Sequence, residues 1–178
     1  LAIAVTSWLV GCFVQLLYRL RFASPLQTAA LIYHLTIPAH WIRHGAFAPF
    51  TSWFHEAAPG YSPMLVERLA ALLMLPFSNE VLARWVQLPF QLSIVALTFV
   101  ILRRVSVRWT LALPAAAGTL VFRPFLRQSL SLHNDMALTS FFLLAVWGWV
   151  VFKQSGCRRG WTRITCGVFL MLGTKYVG

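Results

Sequence analysis

Only four carboxylates, Glu56, Glu67, Glu80 and Asp135, stand among 178 residues that carry fifteen lysines and arginines and five histidines, so each acid can be weighed singly. Asp135, in SLHNDMALTS, precedes an apolar run. There either Asn134 or Asp135 can cap the helix that follows, or Asp135 can serve a metal or phosphate site at the water boundary. Arg123 and Arg127 are four apart and share a helix face. With Lys175 they form a candidate anion site, because guanidinium groups offer paired donors to phosphate. A structural ion pair with Asp135, or a lysine reaching for the membrane surface, accounts for the same residues. Five histidines with Glu56 and Asp135 nearby offer ligands for a divalent metal ion. His40 and His44 have helical zinc-ligand spacing but lack the glutamate of an HExxH pattern, and packed or solvated histidines explain them as well. No GxSxG, GxxxxGK[ST] or GxGxxG occurs, so serine-hydrolase, P-loop and dinucleotide chemistry have no support. Cys12, Cys157 and Cys166 lack metal-ligand spacing, and no disulfide is expected.

The elements that must position these residues are predicted from composition. The chain is 59% apolar and 11% charged, against about 45–50% and about 25% in ordinary soluble domains, so it needs a solvent other than water. Apolar blocks predict membrane spans at about 1–18, 81–102, 109–130, 136–152 and 164–178, in a single transmembrane domain covering 1–178. The run beginning at Leu1 reads as the interior of a longer protein rather than a signal peptide. The net charge of +11 comes without a nucleic-acid motif, and no nucleic-acid partner is expected. Arg103, Arg104 and Arg108 fill one short connection and Lys153, Arg158, Arg159 and Arg163 another, as in cytoplasmic loops. That orientation puts 19–80 outside. Within it, Ala29 to Gly45 reads as two short amphipathic helices at headgroup level. The 63–77 segment, about 22 Å long as a helix, is too short for a ~30 Å core and reads as interfacial.

The runs ALIYHLTIPAHWIRHG, YSPMLVERLAALLMLPFSNEVLARWVQLPF, NDMALTSFFLLAVW and LGTKYVG, in this order, resemble the N-terminal part of GT-C superfamily glycosyltransferases. Similar proteins are the dolichyl-phosphate-mannose protein mannosyltransferase-like membrane proteins and the bacterial aminoarabinose transferases. The resemblance covers roughly residues 27–178 and implies an all-α polytopic membrane bundle with interfacial helices in its first external loop. It implies transfer of a sugar from a polyprenyl-phosphate donor to a lipid, glycan or protein acceptor on the extracytoplasmic face, in the plasma (inner) membrane of a bacterium, with membrane lipid as the other partner. Tyr33 and His34 match the first-loop motif, Asp135 the acid of the next outer loop, and Lys175 a lysine that binds the donor phosphate. One departure bears on activity. Relatives read DALIYHL where this chain reads AALIYHL, and Ala29 at the position of the catalytic Asp cannot accept a proton or hold a metal. Either the protein is inactive, or another group such as His34 or Glu56 substitutes. A transporter or channel component lined by Arg123, Arg127, Asp135 and Lys175, and a non-catalytic membrane scaffold, are the alternatives.

Overall fold

The computed structural model describes residues 34–47, 64–76, 82–122 and 133–174, with residues 7, 10, 11, 13, 14, 17, 18, 124, 125 and 128. It is all-helical, with no strand among the described residues. Two short helices come first, α1 (Thr36–His44) and α2 (Leu65–Met74). A 3₁₀ turn, Ala83–Val86, leads into α3 (Gln87–Arg104). Then come α4 (Trp109–Gly118), α5 (Asp135–Ser155) and α6 (Arg158–Thr174).

The short pair packs where its apolar stripes meet. Ile37 and Trp41 of α1 bury against Met64 and Ala71. Pro38 costs α1 nothing, because it sits in the first turn, where no intrahelical donor is needed. Gly45 then ends the helix at φ 64°, the left-handed conformation that glycine adopts without a Cβ penalty. The other face of α2, with Val66, Ala70 and Met74, joins Ala83, Val86, Phe90, Ile94, Met136 and Ala137 in the main core. The expected helix in 63–77 thus exists as Leu65–Met74.

The long helices place their ends by hydrogen bonds. Gln154 Nε2 donates to the Arg104 carbonyl at 2.7 Å, which joins the C-terminal ends of α3 and α5. Gln87 Nε2 donates to the His133 carbonyl at 2.7 Å, which joins their starts. The two helices therefore run parallel. Gly156, at φ 62°, closes α5 through its N–H to the Phe152 carbonyl, and α6 returns antiparallel after Cys157.

The α5–α6 seam is built from glycine. A Cβ on Gly148 would lie 2.7 Å from the Ile164 nitrogen, and one on Gly167 2.7 Å from the Phe141 carbonyl oxygen. One on Gly160 would lie 2.6 Å from the Phe152 Cβ. Backbones approach this closely only where side chains are missing.

Three boundaries differ from those predicted. Helix α4 ends at Gly118 rather than running to 130. Pro114 removes an interior donor, and Thr119 Oγ1 bonds the Ala116 carbonyl as the chain turns. Helix α6 starts at Arg158, six residues before 164, because its polar first turn is helical without being apolar. The expected 81–102 span begins as a 3₁₀ turn and becomes α-helical only at Gln87.

Polarity is distributed against the rule for water-soluble proteins. Every fourth-or-third position on the inner stripe of α3 is buried, and that stripe reads Gln87, Phe90, Gln91, Ile94. Outward stand Leu92, Leu111, Phe142, Trp149, Phe169 and Leu172, Phe169 at 70% exposure. Val10, Val14 and Tyr18, four apart, make a similar exposed stripe. Among the described residues one helix, α5, is long and apolar enough to cross a membrane, with a mean hydropathy of 1.7.

Candidate functional site

The starts of α3 and α5, the end of α6 and the buried face of α2 meet at one end of the bundle, and polar side chains gather there. His34 Nδ1 lies 2.6 Å from Glu67 Oε1, with both residues buried. With the proton on Nδ1, the imidazole donates to the carboxylate and Nε2 carries the basic lone pair. A carboxylate on Nδ1 fixes this tautomer and the orientation of the ring. The pair is also what makes burial of Glu67 tolerable, since an isolated buried carboxylate costs several kcal/mol.

From the pair the polar cluster continues toward α5. The His34 and His133 rings are 5.3 Å apart at a 59° tilt. Gln87 holds the His133 carbonyl, and Asn134 Nδ2 donates to the Thr174 carbonyl at 3.3 Å, fastening the end of α6 to the start of α5. Asp135 occupies the first turn of α5, half-buried, and its Oδ2 accepts from Gln128 Nε2 at 3.1 Å. Its charge favours the positive end of the helix dipole. Asn134, one of the two candidate caps, makes no side-chain cap bond: its backbone is already helical at φ −75° and ψ −15°, rather than extended as a capping residue's is. Glu67 Oε2, Gln87 Oε1 and both amide atoms of Gln91 are buried and find no hydrogen-bond partner among the described residues.

Of the predicted site residues, His34 and Asp135 are described and lie at the same end of the bundle. Ala29, Tyr33, Glu56, Arg123, Arg127 and Lys175 lie outside the described residues. His40 and His44 stack on each other at 4.2 Å between ring centroids. No group of three or more His, Cys, Asp or Glu converges among the described residues.

Sequence reasoning missed Glu67 as His34's partner. The signal was its spacing: Glu67, Ala70, Ala71 and Met74 lie on one face of α2, all buried, while Arg68 points outward. A carboxylate on the apolar stripe of an amphipathic helix requires a partner in the core.

Scanning family models and searching curated proteins and solved structures finds no match to this chain.

Proposed function

We propose that this chain is the membrane-embedded portion of a GT-C-like glycosyltransferase, in which the buried His34–Glu67 pair supplies the base that Ala29 cannot. The observation that carries the reading is that pair, held at the end of the bundle opposite the basic connections. The membrane component is supported by the outward aromatic and leucine side chains and the inward glutamines. Helix α5 is about 31 Å long, matching a ~30 Å hydrocarbon core; α3 and α6, at about 27 and 25 Å, cross with help from their ends. Trp109 and Trp161 stand exposed beside Arg103, Arg104, Arg108, Arg158 and Arg159, the residue types that gather at a cytoplasmic interface. The His34 end then faces outward, in the plasma (inner) membrane of a bacterium.

In the reaction, the acceptor oxygen bonds to the anomeric carbon of a polyprenyl-phosphate sugar while the bond from that carbon to the phosphate oxygen breaks. His34 Nε2 takes the acceptor's proton, Glu67 holds the ring in orientation, and Arg123, Arg127 and Lys175 receive the departing phosphate. The full-length protein, reconstituted with a polyprenyl-phosphate sugar and a lipid acceptor, should lose about 10²–10⁴-fold in turnover as His34→Ala. Glu67→Gln should lose less, because the amide can still hold the ring. Transfer unchanged in His34→Ala sinks the assignment of the base. No transfer by the unaltered protein in any arm sinks the reading as an active enzyme and favours the scaffold.

The buried amide of Gln91, without a partner among the described residues, favours a second reading, a transporter or channel component with a polar path along the inner stripe of α3. Flux of a polar solute into vesicles, abolished by Gln91→Leu, decides for it.

A further inference from the structure

An apolar groove of about 160 Å³ opens between the end of α1 and the outer edge of α2, lined by Trp41, Ile42, Phe47, Ala71, Leu72 and Leu75. Its lining side chains are apolar apart from the Trp41 indole N–H, so the groove favours a hydrocarbon over a polar ligand. A dry apolar cavity of about 150 Å³ holds a benzene-sized hydrocarbon, which sets the bulk of what fits. Phe47, Leu72 and Leu75 are themselves exposed, at 62%, 55% and 55%, so the groove opens onto a surface that is already apolar.

Among the described residues the groove is flanked by basic side chains. The Arg68 guanidinium lies 5.9 Å from the centre of the Phe47 ring. Arg43 and His44 occupy the last turn of α1, both exposed. The acid nearest in sequence, Glu67, is turned into the core and engaged by His34. An apolar slot beside cations is complementary to a molecule with a hydrocarbon chain under an anionic headgroup. We propose that this groove seats one acyl chain of an anionic phospholipid of the bilayer, with its phosphate against Arg68. This fastens the α1–α2 pair at headgroup level. The inference rests on the membrane reading above and is independent of glycosyl transfer.

The test uses the full-length protein in phosphatidylcholine vesicles containing a trace of either phosphatidylglycerol or phosphatidylcholine with a diazirine in mid-chain. After irradiation, adducts are mapped by peptide mass spectrometry. Adducts should concentrate in residues 41–47 and 71–75, about fivefold more with phosphatidylglycerol for each rim cation engaged. Arg68→Glu should erase that headgroup preference. Ala46 also lines the slot and is exposed, so Ala46→Leu narrows it and should lower the adducts there with both lipids while leaving those on α5 unchanged. Equal yields from the two lipids, or a preference that survives Arg68→Glu, overturn the proposal. Adducts along α5 but none in the groove also overturn it while leaving the membrane reading intact. Adducts nowhere overturn both.

Discussion

An alanine at Gly160 tests how α5 and α6 meet. Its Cβ would fall 2.6 Å from the Cβ of Phe152 and 2.8 Å from both the Cα and the nitrogen of that residue. Carbon atoms pack at about 3.5–4.0 Å, so the helices must separate by roughly 1 Å near their connection. Because the obstructing atoms are backbone and Cβ, no rotamer change relieves the clash. Overpacking of this kind costs about 1–3 kcal/mol. Against it stands the gain of replacing a helical glycine by alanine, about 0.5–1 kcal/mol. Destabilisation therefore wins over most of that range, by up to about 2.5 kcal/mol. Gly173, in the same helix, has nothing within 4 Å of a built Cβ, so Gly173→Ala retains the propensity gain alone and should be neutral or slightly stabilising. The assay is unfolding of the full-length protein in dodecylmaltoside titrated with sodium dodecyl sulfate, followed by far-ultraviolet circular dichroism. Gly160→Ala should unfold at a lower mole fraction of dodecyl sulfate than the parent. Adding Phe152→Ala should not rescue it, since alanine at 152 keeps the nitrogen, Cα and Cβ that clash. A midpoint for Gly160→Ala at or above the parent's, or full rescue by the second change, refutes the close seam.

Cys157 offers a native reporter of sidedness. Its thiol is held below the ordinary cysteine value, first by the Ser155 side chain, then by the Gly160 and Arg159 N–H groups and the Arg159 charge. A lowered value means more thiolate at a given pH, so at pH 7 maleimide should label Cys157 faster than a cysteine placed at Ser106, both from the cytoplasmic side. Labelling of either from outside reverses the orientation. Gln91→Leu removes an amide with no hydrogen-bond partner among the described residues and should stabilise by about 1–3 kcal/mol in the same detergent titration; destabilisation means the amide has a partner in the folded protein. Ala29→Asp restores the carboxylate of the resembled motif. With His34 acting as base it should raise transfer only slightly, whereas a gain approaching ~10²–10⁴-fold shows that the alanine was the sole defect.

The long helices were legible because apolar blocks report span length directly. Met136 to Phe152 was expected and Asp135–Ser155 is found, the difference being the polar last turn before Gly156. Apolarity reports backbone geometry less well where the two diverge. Arg158, Arg159 and Arg163 read as a loop, yet all three are helical, and the Arg163 guanidinium lies 4.0 Å over the Trp147 ring. The continuing apolar run after Gly118 concealed a turn for the converse reason. At the candidate site, His34 and Asp135 could be named from local motifs. Glu67 could not be joined to His34, because the two are 33 residues apart and nothing local encodes a long-range pairing. The inward glutamines of α3 were hidden inside a run that is apolar overall.

The two-residue link at Gly156–Cys157 has a consequence for biosynthesis. In the membrane reading, α6 has 17 residues and opens with two arginines, with a third at 163, a poor substrate for the translocon by itself, because only the stretch after Arg163 is free of charge and it is shorter than a full span. α5, long and apolar, is already in the channel when α6 leaves the ribosome, and the glycine seam lets the second helix shelter its backbone against the first. Insertion of α6 is then a property of the hairpin, and a ribosome-bound chain truncated so as to lack α5 should release α6 into the aqueous phase instead of the bilayer.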